Sequence, residues 1–108
     1  MRYTLAGIFA VILGAVTAPA MANDVVEAGR SIVTENCSRC HAVGTVGDST
    51  DPAAPPFRTF ASRWPLEYLE EALAEGIVVG HSTVQMPEFV FDPDQIEAIL
   101  AYLETIQE

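Results

Sequence analysis

The sequence predicts a small all-α domain with three main helices. Three observations lead there. Three stretches repeat apolar residues at helical spacing and carry helix start and stop signals. No stretch alternates apolar and polar residues over the length of a half-buried strand. Once an apolar leader is set aside, residues 23–108 remain, enough for one domain with a limited core.

The leader reads "MRYTLAGIFAVILGAVTAPAMA". It opens with one charge, Arg2, runs apolar through residues 5–16, breaks at Pro19 and ends with small residues at Ala20 and Ala22. That is the charged, apolar and A-x-A order of a secretory signal peptide. Residues 1–22 are therefore expected to be removed on export to the periplasm, with Asn23 opening the mature chain. The apolar run is short for a membrane span, and Gly, Thr and Pro interrupt its extension. No stable membrane insertion is expected after cleavage.

The first helix is expected to begin at Asp24, where Glu27 completes a capping box. It carries Val25, Val26, Ile32 and Val33 on its way into a cysteine-containing segment. Residues 42–64 read as loop, punctuated by Gly44, Gly47, Asp48, Asp51, Pro52, Pro55 and Pro56. Pro65 suits the first position of a second helix. Leu66, Leu69 and Leu73 form its stripe, Glu67 complements its dipole, and Gly76 ends it. Residues 77–79 are a candidate short strand, but Gly80, Pro87 and the lack of alternation favour an ordered loop. The last helix has the fullest set of signals. Asp92 caps it, Pro93 starts it, Gln95 closes a capping box, and Ile96, Ile99, Leu100, Leu103 and Ile106 share one face.

Charge narrows the partners. The chain has fifteen acidic residues, five arginines and no lysine, for a formal net charge of −10, or −11 without Arg2. Nucleic acid and anionic lipid surfaces are excluded as partners, because both need a basic face. Such a surface favours solubility and steers the chain toward a basic docking patch on a partner protein.

Both cysteines lie in "ENCSRCHAVG", as Cys37 and Cys40, with His41 directly behind. A redox dithiol, a zinc site and a c-type haem attachment all use closely spaced cysteines. A thioredoxin-like dithiol sits in a β/α pattern that is missing here. Zinc needs four ligands of compatible reach, and the whole chain has two Cys and two His. A disulfide between the two cysteines would close a tiny loop and add little stability. The haem reading uses every residue. Two thiols at this spacing meet the two vinyl groups on neighbouring edges of one porphyrin, and the next residue offers an imidazole to the iron. One covalent haem also supplies the staple that a domain this small needs.

An iron held by His41 leaves a sixth position. Met86 is the only methionine after residue 22, and Pro87 fixes the backbone beside it. Its thioether would favour the ferrous state. The rival ligand is His81, whose binding would lower the potential; His81 reads as a loop histidine outside the metal site.

These motifs resemble the class I cytochromes c, specifically the small bacterial monohaem members, over essentially all of residues 23–108. "CSRCH" matches the family's attachment motif, and "QMPEF" is similar to its axial-methionine loop. Gly29 resembles the glycine where the family's first and last helices cross, and Tyr102 with Leu103 the pair packed against it. "APPF" resembles the family's proline segment. The resemblance implies the small cytochrome c fold, with three main helices around one covalent haem. It implies that the Pro55 carbonyl accepts a hydrogen bond from the His41 ring, with Pro56 the near competitor, and that Phe57 lines the haem. Arg63 and Trp64, and less so Arg58, are candidate partners for the haem carboxylates, which need donors when buried. The lysine collar of mitochondrial members has no counterpart here.

The expectation is therefore a monomeric periplasmic carrier of single electrons between redox partner proteins. It is not an enzyme, because both axial positions are filled. A gas-binding sensor, in which Met86 gives way to a small ligand, and a permanently bound subunit of a dehydrogenase or oxidase remain alternatives.

Overall fold

The computed structural model describes residues 7–15, 20–76 and 86–108. The candidate strand at 77–79 and His81 lie outside the described residues. Within them there are four α-helices, one 3-10 turn and no strand: α1 (Ala20–Cys37), a 3-10 turn (Phe57–Thr59), α2 (Phe60–Arg63), α3 (Leu66–Glu75) and α4 (Pro93–Ile106). No helix among the described residues is long and apolar enough to cross a membrane. Residues 7–15 form no regular element, and Ile8, Phe9 and Ile12 there are almost fully exposed.

α1 starts four residues earlier than its capping signal predicts. Ala20, Met21 and Ala22 are strong helix formers, so the helix propagates back through them. Asp24 and Glu27 then lie inside the helix rather than at its cap. Its inner face carries Val33, which is fully buried, flanked by Val26, Ile32 and Cys37 against the same core. α4 behaves as its sequence predicts. Pro93 occupies the first turn and the Gln95 side chain accepts the Asp92 backbone N–H at 2.9 Å. Ile96, Ile99, Tyr102, Leu103 and Ile106 are buried, and Leu100 partly so.

α1 and α4 cross at Gly29, forming the largest helix–helix interface among the described residues. A methyl group on Gly29 would fall on the Ala98 carbonyl oxygen and lie 2.8 Å from Tyr102 Cβ. Tyr102 then ties the crossing to the loop. Its hydroxyl donates to the Val43 carbonyl at 2.6 Å, and the Arg30 guanidinium lies over its ring.

The expected loop 42–64 needs correction at its end. Residues 57–63 wind into the 3-10 turn and α2. The cause is tertiary rather than local. Gln107 donates from Nε2 to the Phe57 carbonyl at 2.9 Å and accepts the Ala61 N–H at 2.8 Å, while the Glu108 N–H donates to the Arg58 carbonyl. Burial of Phe57 completes the anchor. In α3, Pro65 takes the cap position rather than the first turn, and Gly76 ends the helix at φ +84°, a conformation that favours glycine.

Candidate cofactor site

α1 ends on Cys37, and that end shapes the site. The Cys37 carbonyl accepts the backbone N–H of both Cys40 (3.3 Å) and His41 (3.0 Å), so the chain turns tightly and delivers the second cysteine and the histidine beside the first. The side chains of Asn36 and Ser38 cap the preceding carbonyls. The following loop folds back on this turn. The Asp51 N–H donates to the Cys40 carbonyl, Ser49 Oγ accepts the Ala42 N–H, and the Phe57 N–H donates to the Ala42 carbonyl. These bonds carry residues 54–57 to the imidazole.

There the Pro55 carbonyl lies 2.7 Å from His41 Nδ1. A carbonyl can only accept, so Nδ1 carries the hydrogen. The neutral ring keeps its lone pair on Nε2, the form that binds a metal. The bond falls on Pro55 and not on Pro56. A run of rings leads away from His41: Phe57 at 4.7 Å between centroids, then Phe60 at 4.8 Å from Phe57, then Trp64 at 6.0 Å from Phe60.

His41 opens onto an apolar cavity of about 330 Å³. Cys37, His41, Pro55, Phe57, Trp64 and Met86 all line it. Its floor is Val33, Leu73, Ile99 and Leu103, the inner faces of α1, α3 and α4. A second cavity of about 400 Å³ shares Cys37, His41, Met86 and Phe89 with the first and adds Cys40, Arg39 and Pro87. Each lies within the size range of small-molecule sites.

Both cysteines are free thiols. Burial pushes the Cys37 thiol up to about 11. A redox-active dithiol needs the opposite, a thiol lowered by a positive neighbour or a helix N-terminus. Cys37 stands at a helix C-terminus among apolar side chains.

Two arginines sit away from this arrangement. Arg58 donates to Glu108 Oε1 at 3.0 Å and to the Gly47 carbonyl at 2.7 Å, so it locks the C-terminus to a loop. Arg63 is exposed and lines neither cavity. Sequence reasoning missed Arg39, Phe60, Tyr68 and Phe89, which do line them. Phe60 had a signal: it stands three residues after Phe57 and four before Trp64, a helical spacing inside a segment read as loop.

The geometry has a counterpart among known families. The family model described as Cytochrome c matches residues 26–107, more than half of the chain. The chain belongs to the cytochrome c family. No curated protein and no solved structure matches it. Cytochromes c bind haem c and carry electrons, and the residues present fit that group. The first cavity is apolar, the Cys37 thiol lines it, both thiols line the adjoining one, and an imidazole shared by the two is oriented by a carbonyl. This cytochrome is all-α among its described residues, with the three expected main helices and the short α2 in addition.

Proposed function

We propose that this cytochrome c is an exported, monomeric single-electron carrier of the bacterial periplasm. In this reading residues 1–22 are a cleaved signal peptide, and one haem c is held by thioether bonds from Cys37 and Cys40. The observation that carries it is the 2.7 Å bond from His41 Nδ1 to Pro55, at the edge of an apolar cavity that Met86 also lines.

His41 and Met86 would hold the haem iron. The bound haem iron supplies the one-electron chemistry. Everything else is positioning by the chain. The Pro55 carbonyl fixes the His41 ring and raises its basicity as a ligand. The Met86 thioether biases the centre toward the ferrous state. Val33, Leu73, Ile99 and Leu103 keep water out. Trp64, which lines the cavity, would donate its indole N–H to the cofactor carboxylates, and Arg63 stands one residue away. No acid, base or nucleophile is required, and with both axial positions filled the chain is a carrier rather than an enzyme. Its acidic surface favours redox partners with a basic docking patch.

Met86→Ala tests the assignment. The ferric protein should lose the weak thioether-to-iron band, bind added ligands and fall substantially in reduction potential, whereas His81→Ala should leave spectrum and potential nearly unchanged. His81 could replace the lost thioether in Met86→Ala, so the double variant is needed and should turn high-spin. If His81→Ala alone abolishes the low-spin spectrum, the axial assignment is wrong.

A further inference from the structure

Two helices meet across one hydrogen bond at this site. His41 is held from α1, whose last carbonyl, on Cys37, accepts the His41 N–H at 3.0 Å. Its partner, the Pro55 carbonyl 2.7 Å from Nδ1, lies in a segment with few fixings of its own. Pro55 and Pro56 have no backbone N–H. The chain therefore has no backbone donor between the Ala54 N–H, which donates to Asp51, and the Phe57 N–H, which donates to Ala42. Ala42 follows His41 directly, so that second bond moves with the imidazole. Thr59 donates twice to the Pro56 carbonyl, from N–H and Oγ1, but it belongs to the same segment. All these bonds are internal to the loop.

Gln107 ties the loop to α4. It is the residue that caps the end of that helix, and its side-chain amide makes three bonds. Nε2 donates to the Phe57 and Leu103 carbonyls, both at 2.9 Å, and Oε1 accepts the Ala61 N–H at 2.8 Å. A glutamate here would lack both donors, and a methionine would lack donors and acceptor alike. Leu103 lines the first cavity, so the amide joins the cofactor-facing turn of α4 to the residue two positions after Pro55. A second tie lies beside it. The Glu108 N–H donates to the Arg58 carbonyl and Arg58 Nε donates to Glu108 Oε1, both at 3.0 Å. That tie is one residue further from Pro55, and the Glu108 side chain is 65% exposed, so water and salt weaken its ionic half. Burial of the Phe57 ring holds the residue in the core but leaves the tilt of its peptide planes to the hydrogen bonds.

We propose that Gln107 is a positioning residue for His41: by holding the Phe57 carbonyl against α4 it keeps the Pro55 carbonyl on Nδ1, and so sets how strongly His41 donates to the iron. This rests on the haem reading with His41 as a ligand. An imidazole whose N–H is firmly bound is the more basic ligand and favours ferric iron. Releasing Pro55 therefore raises the reduction potential. Mere loosening of the pocket does the reverse, because water that enters favours the more highly charged ferric centre. The sign separates positioning from stability.

The test compares Gln107→Met with the parent holoprotein. In the ferrous state the His41 Nδ1–H proton resonance should move upfield, and the proton should exchange with solvent about tenfold faster. The potential should rise, with the ferric–ferrous equilibrium shifted roughly threefold toward ferrous. Gln107→Glu keeps the acceptor for Ala61 but loses both donors, and should behave as Gln107→Met does. Ile106→Val is the control for stability alone. Ile106 is buried on α4 and lines neither cavity, so the variant should lower the urea midpoint and leave the His41 proton and the potential unchanged. In the parent itself the Gln107 side-chain amide protons should exchange slowly, a measurement that stands even if a variant fails to fold. A potential that falls or stays fixed in Gln107→Met, parent-like values in Gln107→Glu, an equal response to Ile106→Val, or freely exchanging Gln107 protons would each overturn the proposal. Failure of the haem reading shows separately, as absence of a ferrous c-type spectrum in the parent.

Discussion

Gly29→Ala should destabilise the domain although alanine is the better helix former. The added methyl would lie 2.8 Å from Tyr102 Cβ, where ordinary contact begins at 3.4 Å, and closer still to the Ala98 carbonyl oxygen. Clearing Tyr102 alone needs 3.4 − 2.8 = 0.6 Å, and clearing the carbonyl needs more. The obstacle is α4 backbone, which cannot rotate aside as a flexible side chain can. The two helices must separate, and gaps of this size forfeit a quarter to a half of each dispersion contact across the interface. Overpacking of this kind costs about 3 kcal/mol at the upper end of its usual range. Replacing an interior helical glycine returns about 1 kcal/mol. The net loss is about 2 kcal/mol, or a melting temperature roughly 10 °C lower for a domain of this size. Urea unfolding of the ferric holoprotein, followed by far-UV circular dichroism, measures it. Gly44→Ala is the control, because a methyl there meets nothing within 4 Å; it should be neutral or slightly stabilising. If Gly29→Ala is as stable as the parent, or more so, the helices do not cross as closely as argued, and the account of the fold's central contact fails.

Three further outcomes are expected. Replacing both Cys37 and Cys40 by alanine should give an unstable chain after export, seen as lost helical signal and rapid proteolysis; a stable, folded double variant would mean that the haem is not the staple. In the haem-free chain, held folded by the osmolyte TMAO, Cys37 should set an alkaline limit. Its thiol ionises near 9 when unfolded and near 11 when folded, so its share of stability is intact below about pH 9 and is lost as pH rises toward 11, at most about 2.7 kcal/mol; Cys37→Ser should flatten the pH dependence of the urea midpoint, and an unchanged dependence would refute burial of the thiol. Tyr102→Phe removes the donor to the Val43 carbonyl and should cost about 1–2 kcal/mol in the same urea assay, with no change in the visible spectrum; a neutral variant would show that the bond contributes nothing.

The readable parts of this chain are those whose signals are local. α4 carries its own start code in Asp92, Pro93 and Gln95, and one periodic face, so it could be read residue by residue. The cysteine motif is local too, and one carbonyl, that of Cys37, organises it. Segment 57–63 has no local helix code, because its helical turns depend on Gln107 and Glu108, about fifty positions away in the chain. The start of α1 departs from its local signal for the opposite reason. A valid capping signal at Asp24 is outweighed by three good helix formers in front of it. Arg58 had the charge for a cofactor carboxylate, but its guanidinium is committed to Glu108 and Gly47. Pro55 and Pro56 could be distinguished only by the fold of the loop between Ala42 and Phe57.

One helix links stability and chemistry here. α1 carries Gly29, where it crosses α4, and Val33, which is buried among the core side chains, before it ends on Cys37. Val33 and Cys37 also line the cavity, as do Ile99 and Leu103 from α4. The surfaces that pack the two terminal helices together are therefore continuous with the surface that receives the cofactor. A core this small has no second layer to absorb a change at that junction. Any perturbation that opens the crossing widens the cavity, and any group bound across the cavity tightens the crossing by mass action on the folded state. Cofactor retention and folding should then respond together to substitutions at Gly29, Val33 and Leu103, and not at exposed positions away from both cavities such as Glu97 and Glu104. The two helices that cross at Gly29 thus hold the site with the same side chains that hold them together.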